Sequence, residues 1–197
     1  MSTVALVPLV KGQNVSLTKD NPSLTEIGIG LGWDVNSGNG DKFDLDASAF
    51  ILKNDKLHNG GASIVFFNNK TQPGVTHEGD NLTGDGDGDD ETINVVFSAL
   101  PADVDKVQIV VNIFDAQNRR QNFGMVKNAF VRVYDKTTKN ELARYDLSED
   151  YSANNAVVFG ELYKKDNEWK FKAIGEGKNG DTISWLLPWF KSFVVEL

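Results

Sequence analysis

The sequence predicts an all-β fold, a single-domain β-sandwich of two antiparallel sheets with little helix. Short runs rich in Val, Ile and Phe recur about every ten to fifteen residues, as strands do in all-β domains. Clusters of Gly, Asn and Asp separate the runs and are typical of turns. The chain has 197 residues, of which 40% are hydrophobic, and is long enough to bury a core. We therefore expect one domain over residues 1–197.

Ten segments have the composition of strands. In chain order they are Asn14–Leu17, Glu26–Trp33, Asp44–Lys53, Ala62–Phe67, Thr92–Phe97, Lys106–Phe114, Phe130–Asp135, Glu141–Asp146, Ala156–Lys164 and Glu168–Ala173. The last four form two predicted hairpins, because only short turn-like segments separate the members of each pair. One short stretch, residues 121–128, is permissive for a helix.

The second predicted strand alternates large apolar residues with glycine. Ile27, Ile29 and Leu31 fall on one face, and the glycines at 28, 30 and 32 fall on the other. Glycine inside a strand marks a place where a side chain or another backbone approaches closely. We expect such an approach on this face.

An acidic, glycine-rich stretch, Gly79–Glu91, is the most distinctive segment and reads GDNLTGDGDGDDE. Six of the twelve residues from Asp80 to Glu91 are carboxylates. Two carboxylates about 4–5 Å apart repel each other by roughly 3–4 kcal/mol at an effective dielectric constant near 20. Because glycines allow a tight turn that brings such groups together, the segment favours a bound cation. Ca²⁺, which takes about six to eight oxygens in a flexible shell, suits it best. The alternative is a solvated acidic loop, as most acidic runs are.

Two familiar loop types do not fit this segment. With Asp80 as the first position of an EF-hand, Glu91 falls at the twelfth, but Leu82 and Gly84 replace the ligands at the third and fifth. A phosphate-binding loop needs a lysine or a free helix N-terminus, and clustered carboxylates would repel a phosphate.

The charge of the chain is concentrated around the acidic stretch. The net charge is −8, yet no Lys or Arg lies between Lys70 and Lys106, and that interval holds nine acidic residues. The chain lacks the basic face that nucleic-acid binding needs. It also has no cysteine, which excludes disulfides and zinc–thiolate sites and is consistent with a reducing compartment. Since neither a secretion signal nor a membrane-spanning run is recognisable, we expect a cytoplasmic protein.

Other carboxylates are placed to join the acidic stretch, because the loops of a β-sandwich gather at its two ends. Asp34 ends the strand in GLGWD, and Asp44 and Asp46 share one face of the strand in FDLDASAF. Since residues 45, 47 and 49 take the opposite, apolar face, we expect the aspartate pair at the strand's end and outside the core. Turn capping is the alternative for Asp34, and a purely structural role is the alternative for the pair.

The sequence offers little for catalysis. Its two histidines are His58, in an apparent turn, and His77, just before the acidic stretch. We expect His77 at the surface or behind a metal ligand, the alternative being a general base or a ligand. There is no GxSxG motif, and the crowded carboxylates do not separate into the acid and nucleophile of a glycosidase. The polar stretch at residues 115–122 is a candidate rim for binding an anion or a partner, although a solvated loop is the simpler interpretation. We therefore expect no enzymatic activity.

The motifs together resemble the TerD family of tellurium-resistance and general stress proteins. The resemblance covers nearly the whole chain and rests on GLGWD, DLDASAF, FFNN, HEGDNLTGDGDGDDE, QNFGMVKNAFVRV, ELARYDLSED and FGELYKKDNEWKFKAIGEG. It implies a cytoplasmic bacterial β-sandwich, a single TerD-like domain, that binds calcium. Carried over by position, the expected metal ligands are Asp34, Asp44, Asp46, Asp80, Asn81, Gly84, Gly86, Asp89, Asp90 and Glu91. The carboxylates are numerous enough for two Ca²⁺ ions.

Two features depart from the family pattern. Phe114 stands where relatives commonly have a histidine, which weakens the case for chemistry there. The C-terminal stretch ISWLLPWFKSFVVEL is more aromatic than the family's usual ending, which is rich in Gly and Ala. We expect its Trp185, Trp189, Phe190 and Phe193 to cover the sandwich, the alternative being an exposed docking patch.

The sequence thus predicts a non-enzymatic, calcium-binding protein of the stress response and of resistance to tellurium and other toxic agents. We expect Ca²⁺ to order the acidic loops at one end of the sandwich and so to present a surface for a partner. The resemblance implies partners among the other proteins of the same resistance system, including a membrane-associated complex. The alternative is a metal-dependent receptor or hydrolase that takes a nucleotide or phosphate ligand at the same site.

Overall fold

The computed structural model describes residues 11–19, 21–37, 40–86 and 88–179, apart from the side chain at position 149. The described strands are β1 (Asn14–Ser16), β2 (Glu26–Gly32), β3 (Leu45–Lys53), β4 (Lys56–Gly61), β5 (Ile64–Val65), β6 (Thr71–Gln72), β7 (Val75–His77), β8 (Glu91–Val96), β9 (Lys106–Ile113), β10 (Phe130–Asp135), β11 (Glu141–Asp146), β12 (Ala156–Lys165) and β13 (Glu168–Lys178). Helix in these ranges is confined to α1 (Ala116–Arg119), α2 (Leu147–Asp150) and two 3-10 turns at Phe97–Ala99 and Phe123–Met125. The predicted all-β class with little helix is confirmed.

The strands form two antiparallel sheets packed face to face. The first sheet has the order β1-β13-β12-β9-β3-β4, with β5 also paired to β3, and the second has the order β11-β10-β2-β8-β7-β6. Alternate residues of both sheets fill the space between them: Ala47 and Ile109 of the first sheet and Ile29 and Ile93 of the second are all fully buried. This is the predicted sandwich. It includes the two predicted hairpins, β10–β11 and β12–β13.

Strand prediction failed where the strands are short or rich in Gly and Asn. Strands β4, β6 and β7 were not predicted, and the expected strand Ala62–Phe67 is reduced to β5. These strands lie at or near sheet edges, where pairing with a neighbour outweighs weak local propensity. His58 therefore lies in β4 rather than in a turn, with its Nε2 2.9 Å from Oδ1 of Asp103.

The segment expected to permit a helix, residues 121–128, contains only the 3-10 turn Phe123–Met125. Gly124 in this turn packs directly against the backbone of Ser152, and a Cβ there would lie 2.8 Å from the Ser152 carbonyl oxygen. Tertiary contact therefore replaces the regular helix.

The outward face of β2 carries glycines because groups from elsewhere lie across it. A Cβ at Gly28 would fall 2.3 Å from the ring of Tyr134, and a Cβ at Gly30 would fall 2.2 Å from the carboxyl carbon of Asp89. The predicted close approach is confirmed. At Gly30 the approaching group belongs to the acidic stretch, which is thereby held against the second sheet.

The first sheet also buries apolar residues on the face turned away from the second sheet. Strand alternation and register place six such side chains there, each at most 3% exposed, and we call them the outer cluster: Phe50, Leu52, Ile64, Val110, Ala156 and Val158. Leu57, Phe66 and Ile174 pack around its margin.

Within the described ranges no helix has the length and apolar character needed to cross a membrane. The predicted aromatic cover, Trp185, Trp189, Phe190 and Phe193, lies outside the described residues.

Candidate functional site

Polar groups from the first sheet and the acidic stretch meet where β3 begins. Asp44 immediately precedes β3, and Asp46 is its second residue. Asp46 is in register with Asn112 of β9, whose Nδ2 lies 3.5 Å from Asp46 Oδ2. One carboxylate oxygen from each of Asp44, Asp46 and Asp80 lies within 4.8 Å of the other two. Three acidic side chains from two distant segments therefore converge on one point.

The burial of the aspartate pair was not predicted from the sequence. The pair does lie at the end of a strand, as predicted, but Asp44 is only 9% exposed and Asp46 only 4%. The local pattern of β3 could not show this burial, because it arises from chain segments that fold over the strand from elsewhere.

Glu91 reaches the same corner from the second sheet. It is the first residue of β8, is almost fully buried and points toward the space between the sheets. Its Oε2 accepts a hydrogen bond from the Ala47 amide at 2.8 Å, and its Oε1 accepts one from the Asn81 amide at 3.4 Å. Glu91 thus ties β3 of the first sheet to the acidic stretch.

His77 is buried, which rules out the surface position considered for it. It alternates inward along β7, and its Nε2 lies 3.3 Å from Oε2 of Glu91, with both side chains inaccessible to solvent. Its Nδ1 accepts a hydrogen bond from the Gly79 amide at 3.4 Å. A ring that accepts at Nδ1 carries its proton at Nε2 and donates it to Glu91. His77 therefore positions Glu91 from behind.

The buried carboxyl groups have raised pKa values. Burial, reinforced by the neighbouring charges of Glu91, Asp44 and Asp80, raises the pKa of Asp46 to about 8. Burial raises the pKa of Asp44 to about 6, although the guanidinium of Arg119 acts in the opposite direction. Burial also raises the pKa of Glu91 against the hydrogen bond from the histidine. In each case the charged form is disfavoured by lost hydration.

The donor set fits a hard divalent cation. The Oδ1 atom of Asp44 is buried and has no hydrogen-bond partner among the described residues. The groups that converge here offer carboxylate oxygens and no sulfur. The nearby imidazole, that of His77, is already bonded to Glu91. A cation between these carboxylates would offset both their mutual repulsion and their lost hydration.

A second, more open group of carboxylates lies around Asp90. Its Oδ2 accepts a hydrogen bond from the Trp33 amide at 2.8 Å, and its Oδ1 accepts one from Nδ2 of Asn81 at 2.9 Å. Burial raises the pKa of Asp90, and neighbouring carboxylates, among them Asp34 and Asp85, add to the rise. The oxygens of Asp34 are less enclosed, and one of them accepts a hydrogen bond from the Asn128 side chain at 2.8 Å.

Asp89 belongs to the acidic stretch, and its carboxylate pairs with the guanidinium of Arg132. Its Oδ1 accepts from Nε of Arg132 at 2.8 Å and its Oδ2 from Nη2 at 3.0 Å, while Glu141 binds the third nitrogen of the same guanidinium at 3.4 Å. A bidentate carboxylate–guanidinium pair is strong and directional. The structure therefore anchors the loop to β10 through Asp89, rather than placing Asp89 with Asp44, Asp46 and Asp80.

Asn81 and the glycines shape the loop between these groups. The side-chain oxygen of Asn81 accepts hydrogen bonds from the amides of Thr83 and Gly84, both at 3.0 Å. Gly84 has a φ of +71°, and a Cβ there would lie 2.6 Å from the indole of Trp33; Gly86 has a φ of +149°. The predicted tight, glycine-dependent turn is confirmed.

An open pocket of about 620 Å³ adjoins the first carboxylate group. Asp44 lies in its wall together with Leu82 of the loop, and Lys42 and Arg119 contribute two cations. The Arg119 guanidinium stands 5.4 Å from the centre of the Phe114 ring. Residues 115–122, the stretch considered as an anion-binding rim, thus place the positive charge of Arg119 beside the candidate metal site.

Sequence reasoning missed Asn112 and gave no specific role to Arg119. Asn112 interrupts an otherwise apolar stretch of β9, and a polar residue in a central strand is a signal that could have marked it. Its function at this corner depends on register with Asp46, which only the paired sheet reveals.

Comparison with known proteins places the chain in a family. Residues 6–188 match the family model of the TerD domain. Tellurium resistance protein TerD of Serratia marcescens is 50% identical over 180 residues, which is 90% of this chain and 94% of that protein. General stress protein 16U of Bacillus subtilis (strain 168) is 49% identical over 177 residues, 88% of this chain and 92% of that protein.

A solved structure agrees with the fold. The crystal structure of a homologue of telluride resistance protein from Streptomyces coelicolor A3(2) has a TM-score of 0.71, covers 82% of this chain and 94% of its own, and is 22% identical. The agreement extends to the two-sheet architecture alone. From the matching family model and from relatives about 50% identical over most of its length, this chain belongs to the TerD family of tellurium-resistance and general stress proteins.

Proposed function

We propose that this protein binds Ca²⁺ at the acidic end of its sandwich and, without catalysis of its own, serves the response to tellurium and other toxic agents. The observation that carries the proposal is the convergence of Asp44, Asp46 and Asp80, with a buried Asp44 oxygen that no described residue satisfies. Like charges gathered in a buried corner are unfavourable unless a cation lies among them. Relatives named for tellurium resistance and for general stress support the physiological part.

The first ion would be held by Asp44, Asp46 and Asp80, with Glu91 close behind them. Oxygen ligands favour a hard cation, and an irregular set of carboxylates suits Ca²⁺ better than Mg²⁺. Mg²⁺ requires near-octahedral geometry and keeps several waters, which a crowded corner of carboxylates does not favour.

A second ion would be held by the more open group, in which Asp34 lies near Asp90. Asn81, Gly84 and Gly86 form the turn beside this group and are its other expected ligands. Two ions would bridge the acidic loop to both sheets, because the first group starts from β3 and the second from the end of β2.

Bound Ca²⁺ would also fix the loops that expose apolar residues. Among the described residues the exposed large apolar side chains are Val35 just after β2, Leu82 in the acidic stretch and Met125 in the 3-10 turn before β10. When the carboxylates no longer repel one another, these loops can hold a single arrangement that a partner recognises. We infer that the partners are other proteins of a tellurium-resistance or stress system in the cytoplasm, including a membrane-associated complex.

A metal-dependent receptor for a phosphate or nucleotide is a second candidate, and one observation favours it. The pocket beside Asp44 also contains Lys42 and Arg119. A metal ion on Asp44 and these two side chains would all attract an anion entering the pocket. Hydrolysis would further require an accessible base, and His77 is inaccessible. The receptor is therefore the better-supported form of this alternative.

Calorimetric titration of the purified protein with Ca²⁺ and with Mg²⁺ tests the proposal. We expect the tighter binding from Ca²⁺, together with a higher melting temperature than in EDTA. At a free Ca²⁺ concentration of about 100 times the dissociation constant, linkage stabilises the fold by roughly 2.7 kcal/mol per site. Melting curves that superimpose in EDTA and in millimolar Ca²⁺ would refute calcium binding, and equal responses to the two ions would refute the choice of ion.

A matched pair of substitutions tests the ligands. Asp80→Asn should abolish or severely weaken one site, because Asp80 belongs to the converging group. Asp85→Asn removes the same charge from the same loop and should have the smaller effect. If Asp85→Asn proves the more damaging, the assignment of ligands is wrong.

A further inference from the structure

Asn112 is a buried polar residue in the middle of the first sheet. It lies on β9, which is paired with β3 on one side and β12 on the other, and it is only 1% exposed. Its neighbours along the strand, Val111 and Ile113, are apolar. Asparagine is depleted in strands and is seldom fully buried. A fully buried asparagine in a central strand therefore needs a specific partner.

The hydrogen bonding of the Asn112 side chain is incomplete. Its Nδ2 lies 3.5 Å from Oδ2 of Asp46, at the outer limit of a hydrogen bond. Its Oδ1 is buried and accepts no hydrogen bond from any described residue. On the opposite side, Asn112 is in register with Ala156, whose methyl group offers neither a donor nor an acceptor. Burying an amide oxygen without a partner is unfavourable, so the described contacts leave this amide unsatisfied.

We propose that Oδ1 of Asn112 is a neutral oxygen ligand of the first ion, beside the carboxylates of Asp44, Asp46 and Asp80. The inference rests on the proposed calcium binding and adds a ligand to it. Rotation of the amide by about 180° exchanges the positions of Oδ1 and Nδ2. The oxygen then takes the position that lies 3.5 Å from Asp46 Oδ2.

The separation of 3.5 Å fits two ligands of one Ca²⁺ ion. Ca²⁺ binds about six to eight oxygens at about 2.3–2.6 Å, and asparagine carbonyls are among its usual ligands. Two oxygens on the same ion are therefore at most about 5 Å apart, and adjacent ones are roughly 3–3.5 Å apart. One oxygen from each of the three aspartates lies within 4.8 Å of the other two, which is in the same range. The amide and the three carboxylates thus match a single coordination shell.

A neutral ligand suits this corner for an electrostatic reason. The three aspartates already repel one another, and Glu91 adds a further carboxylate close behind them. Another carboxylate would increase this repulsion, whereas an amide oxygen adds a ligand without adding charge. In the calcium-free protein the amide has a different use, because its Nδ2 faces Asp46. Asn112 would therefore change from a donor to Asp46 into a ligand when Ca²⁺ enters.

Two substitutions separate the oxygen of Asn112 from its amino group. Asn112→Ala removes both, whereas Asn112→Asp keeps an oxygen and removes the donor. In calorimetric titration with Ca²⁺, Asn112→Ala should weaken binding of the first ion roughly 10- to 100-fold and leave the second ion unaffected. Asn112→Asp should bind the first ion at least as tightly as the parent protein, because ligand charge raises affinity. Equal weakening in both variants would show that Asn112 serves only as a donor to Asp46, and it would overturn the proposal.

Asn94→Ala is the matched control. Asn94 lies in β8 of the second sheet, its Oδ1 is likewise buried without a described partner, and its Nδ2 donates to Glu26. This substitution should leave both Ca²⁺ affinities unchanged. If the parent protein binds Ca²⁺ and Asn112→Ala binds it equally well, Asn112 is not a ligand and the proposed function stands. If the parent protein binds no Ca²⁺, the proposed function fails and the inference fails with it.

Nuclear magnetic resonance of the parent protein tests the ligand directly, even where a variant does not fold. Binding of Ca²⁺ should shift the side-chain carbonyl carbon resonance of Asn112 in step with occupancy by the first ion. The corresponding resonance of Asn94 should stay in place. An Asn112 resonance that does not move while Ca²⁺ binds would overturn the proposal.

Discussion

At the residue scale, the acidic corner combines side chains that destabilise one another in the absence of a cation. Asp46 shows this most clearly, since its carboxyl is buried beside three other carboxylates and its pKa is raised to about 8. Groups held at such unfavourable ionisation states are more frequent at functional sites than in structural cores. The hydrogen bonds from Ala47 and His77 to Glu91 hold this carboxylate in place but do not neutralise the other carboxylates of the corner.

The calcium-free protein is therefore expected to lose stability as the pH rises from about 4 to about 8. Unfolded Asp46 has its ordinary pKa of 3.8 and folded Asp46 one of about 8, so across this interval only the folded state retains the proton. The contribution of Asp46 to stability is fully present below its unfolded pKa of 3.8 and is lost as the pH rises to its folded pKa of about 8. Asp44, with a folded pKa of about 6, adds to the loss up to that pH.

Thermal denaturation in EDTA at a series of pH values measures this effect. Asp46→Asn cannot ionise and should show a flatter profile than the parent protein. Saturating Ca²⁺ should reverse the trend, because the cation binds the deprotonated carboxylates. A parent profile no steeper than that of Asp46→Asn would contradict the burial of this group.

Asp89 is expected to act mainly as an anchor of the loop. Asp89→Asn weakens a bidentate pair with an arginine that is 28% exposed, so we expect a loss of about 1–2 kcal/mol in the free energy of unfolding. Urea denaturation in EDTA measures the loss. Arg132→Gln should cost a similar amount, and the double variant less than the sum of the two. Unchanged stability in EDTA with complete loss of Ca²⁺ binding would instead identify Asp89 as a ligand.

At the scale of elements, β2 is the platform on which the acidic loop rests. Its inward residues belong to the core, and its glycine face leaves room for the Asp89 carboxylate, the Tyr134 ring and the Gly88 carbonyl. The loop is thus held by shape as well as by charge. Strand β3 serves the opposite part of the site, because it presents Asp46 on one face and core alanines on the other.

Gly30→Ala is expected to displace the loop from β2. The new methyl would fall 2.2 Å from the Asp89 carboxyl carbon, and moving this carboxylate would break its two hydrogen bonds from Arg132. We expect a loss of about 1–3 kcal/mol in stability and weaker Ca²⁺ binding, measured by melting and by calorimetry. Gly79→Ala, in the acidic loop itself, is the control, since nothing lies within 4 Å of a Cβ there. Equal effects of the two substitutions would show that the clash is relieved elsewhere.

At the scale of the whole molecule, both sheets of the sandwich contribute carboxylates to one end. The first sheet supplies Asp44 and Asp46, the second supplies Glu91, and the segment between β7 and β8 supplies Asp80. A cation bound there would add to the apolar contact and the hydrogen bond from the Ala47 amide to Glu91 that already join the two layers. It would therefore act on the loops at this end while leaving the core as it is.

We expect the purified protein with Ca²⁺ to show only background rates of tellurite reduction with a nicotinamide donor and of cyclic-nucleotide hydrolysis. Reduction needs a thiol, a flavin or a redox metal, and the chain has no cysteine and an oxygen-rich site that favours a redox-inert cation. Hydrolysis needs a base in reach of the substrate, and the His77 side chain is inaccessible. A rate above background that disappears in His77→Ala but survives in His58→Ala would show that the protein is an enzyme.

The sequence by itself determined the longer strands, the acidic loop and the family. Strand positions follow from a two-residue period, as in β2, and the tight loop follows from its glycines, which adopt the expected positive φ at Gly84 and Gly86. These properties are local, since neighbouring residues are enough to specify them. The convergence of Asp80 on Asp44 and Asp46 was also anticipated, because sandwich loops gather at the ends.

The tertiary structure alone decided which of these groups are buried and what holds them. The partnership of Asp46 with Asn112 depends on register, the bond between His77 and Glu91 on the packing of β7 beside β8, and the pairing of Asp89 with Arg132 on the fit over Gly30. Each of these joins residues far apart in the chain, and no local pattern specifies a long-range partner. Burial, which raises the pKa values, likewise arises only when distant segments cover a strand.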